Sequence, residues 1–245
     1  MPTLYVDVDG TLVAPGGDLF WNGSTRLADA LVRARAHGLV LVPVTGRGRL
    51  QVRELCRLLG LPRGLAELGC VHLEGPEVRY ELGSFPYVGE TPVEAMEGRG
   101  VIELVTGDGT LVSHEPWNEG REATFILRGR AETRDVNRLL AEHGFDWCTL
   151  VDNGAFARRP GQHAYHLAPA GTGKAAGVAI DMERHGLGRA DTVYVGDAAA
   201  DLECAAVVGQ CWLVANADPA LESPLRTEAS YGDGVAEVIN RILDR

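Results

Sequence analysis

Apolar residues gather into two kinds of run along this chain. Thr3–Val6 (TLYV), Leu39–Val44 (LVLVPV), Thr192–Val195 (TVYV) and Cys211–Val214 (CWLV) are short, almost unbroken and rich in β-formers. Runs without polar alternation read as strands buried on both faces, the habit of parallel sheets. Between them the apolar spacing turns helical. Leu27, Ala30, Leu31 and Ala34 follow a candidate cap at Ser24 and precede Gly38. Leu55, Leu58 and Leu59 mark a helix over 50–59 that stops at Gly60. Ala175, Ala176, Val178 and Ala179 mark another after Gly171-Thr172-Gly173-Lys174, and 235–243 a closing one. Ala66–Leu73 is expected as a third short strand. Alternating strand and helix predicts a parallel sheet with right-handed crossovers.

The middle of the chain breaks this pattern. Strands are expected in succession over 101–105, 110–113 and 123–128, then a helix over 131–143, then strands over 146–151 and 154–158. Gly107-Asp108-Gly109 reads as a hairpin turn. Its Asp-Gly-Thr triplet echoes residues 9–11 but reads as structure. Clustered strands inside an alternating chain predict an inserted α+β domain. The expected division is a core of residues 1–83 and 160–245 with an insert over 84–159. Arg158-Arg159-Pro160-Gly161 is expected as the return hinge, and the alternating pattern is expected to resume at Ala164–Leu167.

Composition narrows the possible partners. The 245 residues, 45% hydrophobic, suffice for one large domain or a large one with a smaller companion. A net charge of -11 provides no basic field for nucleic acid or an anionic membrane. The longest apolar runs are far too short to span a bilayer. The first strand begins at once, so no leader is expected. Cys56, Cys70, Cys148, Cys204 and Cys211 form no paired motif and read as buried thiols in a reducing, cytoplasmic setting rather than a zinc site. Nothing in the sequence specifies an oligomeric state.

The chemistry concentrates where predicted strands end. Asp7 and Asp9 close the first strand, and Gly10 lets the chain turn sharply after them. Two buried carboxylates repel, and one protonates unless a cation or a proton-transfer task separates them. An Asx-turn at Asp9-Gly10 is the plainer alternative. Thr45-Gly46-Arg47 ends the second strand, and Gly196-Asp197 ends a later one, with Asp201 one helical turn on. Each has a plain reading too: a strand-to-loop turn for the first, a turn and a helix-start acid for the second. Lys174 opens a helix, where the macrodipole favours anions, and so makes better sense beside a phosphate. Gly171-Thr172-Gly173-Lys174 lacks the spacing of a nucleotide P-loop. In a parallel sheet all carboxyl ends face one edge, so these residues can meet. Several carboxylates make an oxygen-rich site for a hard divalent ion, foremost Mg²⁺. A lysine and a hydroxyl beside it suit a phosphoryl group. Such a site predicts attack on phosphorus by Asp7, with Asp9 protonating the leaving oxygen and then activating water.

Taken in order, these motifs resemble those of the haloacid dehalogenase superfamily of phosphohydrolases. Asp7-Val8-Asp9-Gly10-Thr11 is similar to its first motif, Thr45-Gly46-Arg47 to its second, Lys174 to its third, and Gly196-Asp197 through Asp201 to its fourth. The resemblance implies a Rossmann-like α/β core and Mg²⁺. It implies nucleophile Asp7, acid/base Asp9, and phosphate contacts from Thr45 and Lys174. Gly10, Thr11, Gly46 and Arg47 are expected to contact the substrate. The metal is expected at Asp7, Asp9 (through its backbone carbonyl) and Asp197, with Asp201 beside them. Only 38 positions (45 − 7) separate the first two motifs, against 129 (174 − 45) between the second and third. The insert therefore lies in the second interval, as in the superfamily's second cap class, and its strand-rich α+β reading resembles the type IIB (C2B) subgroup of Cof-type and sucrose-phosphate phosphatases. Ala66-Glu67-Leu68-Gly69 falls where that subgroup carries a similar turn, and Ala215-Asn216-Ala217-Asp218-Pro219 resembles its Asn-Ala segment after the last core strand. Ala200 departs from the pattern, which carries Asn there to steady the ion's surroundings.

The implied activity is Mg²⁺-dependent hydrolysis of a small phosphorylated metabolite, foremost a sugar phosphate, through an aspartyl-phosphate. A phosphomutase on the same core, and a binding protein with a weakened site, are the alternatives. Arg121, Arg128, Arg158, Arg159 and His163 are expected as surface charges, with contact to substrate the alternative. Trp117 and Trp147 are expected to pack. Pro15-Gly16-Gly17 is suited to a flap.

Overall fold

A computed structural model describes residues 2–156, 161–223 and 225–244. The elements run β1 (Thr3–Val6), α1 (Arg26–Ala36), β2 (Val40–Pro43), α2 (Arg49–Leu59), β3 (Arg63–Ala66), β4 (Val71–Glu74) and β5 (Glu77–Tyr80). There follow α3 (Pro92–Gly98), α4 (Val101–Thr106), β6 (Leu111–Ser113), β7 (Phe125–Gly129), α5 (Thr133–Glu142), β8 (Cys148–Ala155) and β9 (His163–Pro169). The chain closes with α6 (Lys174–Arg184), β10 (Thr192–Gly196), α7 (Ala199–Leu202), β11 (Gln210–Leu213) and α8 (Tyr231–Leu243).

The central sheet has the order β11-β10-β1-β2, all parallel. β3 joins beside β2 through a parallel bridge from Val44 to Leu65. β1 pairs on both sides, Thr3 with Thr192 and with Val40, so the strands' carboxyl ends lie level. Its alternate side chains serve opposite faces. Leu4 and Val6 pack with Leu41, Val193 and Val195 against Leu27, Ala30, Val235, Val238 and Ile239 of α1 and α8. Tyr5 points the other way, with Val42 and Tyr194, against Val178 and Met182 of α6. Burial of both faces explains why these strands read as unbroken apolar runs.

Tyr5 also carries a polar tip that must be satisfied. Its hydroxyl donates to Asp181 Oδ2 of α6 at 2.7 Å, and Asp181 pairs with Arg63 Nε of β3 at 3.0 Å. This buried triad fixes α6 against the sheet, and α6 begins with Lys174.

A separate antiparallel sheet, order β6-β7-β9-β8, carries α3, α4 and α5 on a core of its own that includes Met96, Leu111, Leu127, Leu140, Trp147 and Leu167. With the parallel sheet it makes the expected α/β core with an added α+β cap. Trp147 packs there against Phe85, Tyr87 and Phe145, while Trp117 is exposed.

Several elements differ from the pattern-based expectations. Residues 101–105 are helical, not a strand. Their β-branched composition favours a strand, but Val101 and Val105 lie one helical turn apart and both bury into the cap core. Gly107-Asp108-Gly109 consequently joins a helix to β6, with Asp108 Oδ1 accepting from Thr110 N at 2.9 Å. The strands expected over 146–151 and 154–158 are one strand, β8, irregular between Asp152 and Ala155, with 157 and 158 outside the described residues. Ala66–Leu73 is not one strand but the turn and flanks of a β3–β4 hairpin, extended by β5 into a three-stranded sheet. Ala164–Leu167 does not rejoin the parallel sheet. It sits inside β9, antiparallel to both β7 and β8. Of the expected hinge, 158–160 lie outside the described residues.

Leu4→Ala is expected to lower the unfolding free energy by about 2–5 kcal/mol, as fully buried leucines do, whereas Val32→Ala at an exposed site changes it by less than about 0.5 kcal/mol. Urea denaturation of both variants measures the difference.

Candidate active site

β1 ends in Asp7, 4% exposed at the level carboxyl edge of the sheet. The chain then doubles back, with Leu12 N bonded to Asp7 O and Val13 N to Val8 O. Gly10 makes this turn at φ +90°, where a Cβ would lie 2.3 Å from Asp197 Oδ2. Any other residue is therefore both strained and in collision with a carboxylate. Asn216 braces the same turn. Its Nδ2 donates to Gly10 O at 2.8 Å, and its Oδ1 accepts from Tyr231 N at 2.7 Å.

Three of the predicted carboxylates converge. Asp7, Asp197 and Asp201 each offer an oxygen within 4.8 Å of the others. Lys174 reaches into them from the start of α6, with Nζ 2.7 Å from Asp7 Oδ1 and 2.8 Å from Asp201 Oδ1. Asp201 is fully buried, and donors surround it. Oδ1 accepts from Lys174 and from the Tyr194 hydroxyl at 2.7 Å, and Oδ2 accepts from the backbone N–H groups of Asp197 and Ala198 at 3.0 Å each. None of these donors is at position 200, so Ala200 does not loosen Asp201. Asp197 Oδ1 accepts from Thr11 Oγ1 at 3.1 Å.

Charge does not balance here. Three carboxylates face one ammonium. Burial pushes the Asp7 carboxyl well above its usual range; Lys174 pulls it down, and Asp201 and Asp197 push it further up. Asp197 is pushed up to about 6, first by burial and then by Asp201. Burial works against the charge of Lys174, but the Asp201 and Asp7 carboxylates outweigh it and hold the ammonium above its ordinary value. Surplus negative charge on close, hard oxygen donors fits a divalent cation such as Mg²⁺. Asp7 and Asp197 would hold it, since the oxygens of Asp201 already serve four donors.

Asp9 is not part of this cluster through its carboxylate. Its side chain is 61% exposed and takes a two-pronged bond from Arg47, Nε to Oδ2 at 2.8 Å and a terminal nitrogen to Oδ1 at 2.7 Å. Arg47, expected at the substrate, is thus engaged by Asp9. Thr45 is buried at the end of β2, and its Oγ1 accepts from Arg47 N at 3.2 Å.

The cap sheet closes on this loop. A Cβ on Gly46 would lie 2.9 Å from His166 Nε2 of β9 and 3.1 Å from Asn153 Nδ2 of β8. Burial, with Arg121 and Lys174 nearby, holds His166 well below its usual value and therefore neutral. Arg121 is not the surface charge expected of it. It is buried and donates to Gly46 O at 2.7 Å. Its further bonds to the Thr124 carbonyl and hydroxyl make that burial tolerable. Arg128 is partly buried, His163 pairs with Asp152 at 2.8 Å, and Arg158 and Arg159 lie outside the described residues. Tyr194, His166, Asn153 and Glu67 had no chemical role in the sequence reading. A tyrosine inside a buried apolar strand was the available signal for Tyr194, since its hydroxyl needs a partner.

A carboxyl raised in the folded state stabilises most below its unfolded value and loses that contribution as pH climbs through the folded value. Metal-stripped protein is therefore expected to lose stability, relative to Asp197→Asn, between about pH 4 and about pH 7. Mg²⁺ is expected to raise the melting temperature more above about pH 6 than below it, because ionised carboxylates bind it. Thermal melts of both proteins across pH, with and without Mg²⁺, measure both effects.

Comparison with known proteins places this geometry. No family model matches the chain. It is 31% identical over 245 residues to the phosphoglycolate phosphatase of Halobacterium salinarum, covering 98% of this chain and 97% of that protein. In fold it is similar to the subclass IIB sugar phosphatase BT4131, with TM-score 0.68, 16% identity and 99% of each chain covered. It is similar also to the sucrose-phosphatase of Synechocystis in complex with sucrose and phosphate, with TM-score 0.66, 17% identity and coverage of 98% and 97%. With Asp7, Thr45, Lys174 and Asp197 in the motif order and a cap inserted after the second motif, the chain belongs to the haloacid dehalogenase superfamily of phosphohydrolases.

Proposed function

We propose that this protein is a Mg²⁺-dependent phosphatase of a small phosphorylated metabolite and works through an aspartyl-phosphate on Asp7. The observation that carries it is the placement of Asp7: a buried strand-end carboxylate against Lys174 Nζ at 2.7 Å, within reach of Asp197. We take the inserted unit, expected over 84–159, as the cap, and extend it to Pro169 because β9 pairs inside its sheet. A bound divalent ion supplies positive charge to the phosphoryl oxygens and the carboxylates around them.

The protein's own residues account for the rest. Lys174, held by Asp201, neutralises charge at Asp7 and at the incoming phosphoryl group. One oxygen of Asp7 attacks phosphorus and forms the acyl-phosphate as the bond to the leaving oxygen breaks. Asp9 exchanges Arg47 for that oxygen and gives it a proton. It then takes a proton from the water that splits the acyl-phosphate, releasing phosphate and restoring Asp7. The Thr45 hydroxyl contacts phosphoryl oxygen. The cap shields the site from bulk water.

For the substrate, the relative aligned end to end at 31% identity carries the name phosphoglycolate phosphatase, whereas likeness to sugar phosphatases rests on fold at 16–17% identity. A phosphorylated short-chain acid is therefore favoured over the sugar phosphate that the motifs suggested. A cytoplasmic setting is supported by five free thiols, and no described helix is long and apolar enough to cross a membrane.

Phosphoglycolate is expected to exceed hexose phosphates at least about tenfold in kcat/KM, roughly 1.4 kcal/mol of discrimination. The opposite order returns the sugar phosphates, and dependence on a sugar bisphosphate points to a mutase. Asp7→Asn is expected to abolish turnover of p-nitrophenyl phosphate, and Asp9→Asn to slow it by about 10²–10⁴-fold. Release of phosphate measures each, and undiminished turnover by Asp7→Asn contradicts the mechanism.

A further inference from the structure

A second buried polar constellation joins the loop after β2 to the entry of β7. Three successive carbonyls of that loop are tied back. Thr45 O accepts from Leu68 N at 2.9 Å, Gly46 O from Arg121 at 2.7 Å, and Arg47 O from Glu67 N at 2.9 Å. Arg121 itself is locked. Its Nε donates to Thr124 O at 2.9 Å and lies 3.9 Å from Glu67 Oε2. Glu67 is fully buried, and the same Oε2 accepts from Ala123 N at 3.0 Å and Thr124 N at 2.8 Å. Glu67 and Leu68 hold φ of +50° and +59°, a conformation that non-glycine residues keep only where surroundings over-determine it.

The peptide between Gly46 and Arg47 has two ends in this network. Its carbonyl meets the Arg121 guanidinium, and its N–H points to Thr45 Oγ1 at 3.2 Å. A trans peptide places N–H opposite C=O, so fixing one aims the other. A hydroxyl that accepts from Arg47 N keeps its own proton to donate elsewhere. The cationic partner polarises the peptide and strengthens that second bond.

We propose that Arg121, locked by Glu67, is a positioning residue for Thr45: it orients the Gly46–Arg47 peptide so that the Thr45 hydroxyl presents its proton to the phosphoryl group. This rests on the phosphatase reading, in which Thr45 contacts phosphate. It makes a cap-side arginine, from outside the four motifs, a determinant of phosphate affinity.

The test compares Arg121→Gln, Arg121→Lys, Glu67→Gln, Thr45→Val and the double variant Thr45→Val/Arg121→Gln, with Arg57→Ala at an exposed site as control. Arg121→Gln is expected to raise KM for p-nitrophenyl phosphate and the inhibition constant of inorganic phosphate about tenfold, with a smaller fall in kcat. Arg121→Lys is expected to recover part of the loss. In the double variant the losses are expected not to add, because Arg121 acts through the hydroxyl already removed. Hydrogen exchange over 44–48 is expected to quicken in Arg121→Gln. A folded Arg121→Gln with unchanged phosphate constant and exchange, or additive losses in the double variant, overturns the proposal. If Arg121→Gln does not fold, Glu67→Gln, nearly isosteric, takes its place: a weakened phosphate constant with faster exchange supports the proposal, and no change in either overturns it. If the wild-type protein hydrolyses no phosphate ester, the proposed function falls. Calorimetric binding of inorganic phosphate and the exchange data then still decide the role of Arg121.

Discussion

The structure turns on one buried ammonium shared by two carboxylates. Lys174 sits 4% exposed between Asp7 and Asp201, with a third carboxylate, Asp197, in the same cluster. One positive charge against three negative ones is costly to bury unless further positive charge arrives. That surplus suits the site to a hard cation and, under the proposed function, to a phosphoryl group. Much of the surrounding fold serves to hold it. The parallel register brings Asp7 and Asp197 to one edge, and the Tyr5–Asp181–Arg63 triad seats the helix that begins with Lys174. Tyr194 and two backbone amides take the remaining capacity of Asp201.

The carboxylates consequently differ in task although they sit together. Asp201 has its oxygens occupied and acts as a brace for Lys174. Asp197 is steadied by Thr11 and keeps an oxygen within 4.8 Å of oxygens of Asp7 and Asp201. Asp9, outside the cluster, is held in the open by Arg47. Under the proposed function, such division lets one carboxylate attack while another handles protons, because environment and not residue type sets the role.

How much of this was legible in the sequence depended on locality. Strands buried on both faces announce themselves as apolar runs, so β1, β2, β10 and β11 were readable, and with them the strand-end acids. The cap was less so. Its strands carry one buried face and short, irregular patterns, and tertiary packing turned 101–106 into helix against local propensity. β9 was placed in the wrong sheet because a short apolar run does not reveal its partners. The Glu67–Arg121 junction was unreadable for a similar reason: 54 positions separate residues whose meeting is decided by how the cap docks (121 − 67). Arg47 was expected at the substrate, but no sequence rule shows that its nearest acceptor is Asp9.

The central claim is that Asp7 accepts the phosphoryl group beside a cation held with Asp197. Crystals soaked with Mg²⁺ and beryllium fluoride, a mimic of the acyl-phosphate, test it most directly. The account predicts beryllium fluoride on a carboxylate oxygen of Asp7, with Mg²⁺ bound by Asp7 and Asp197 and Lys174 against the fluorides. Mimic and ion bound elsewhere, with Asp7 unmodified, would contradict it.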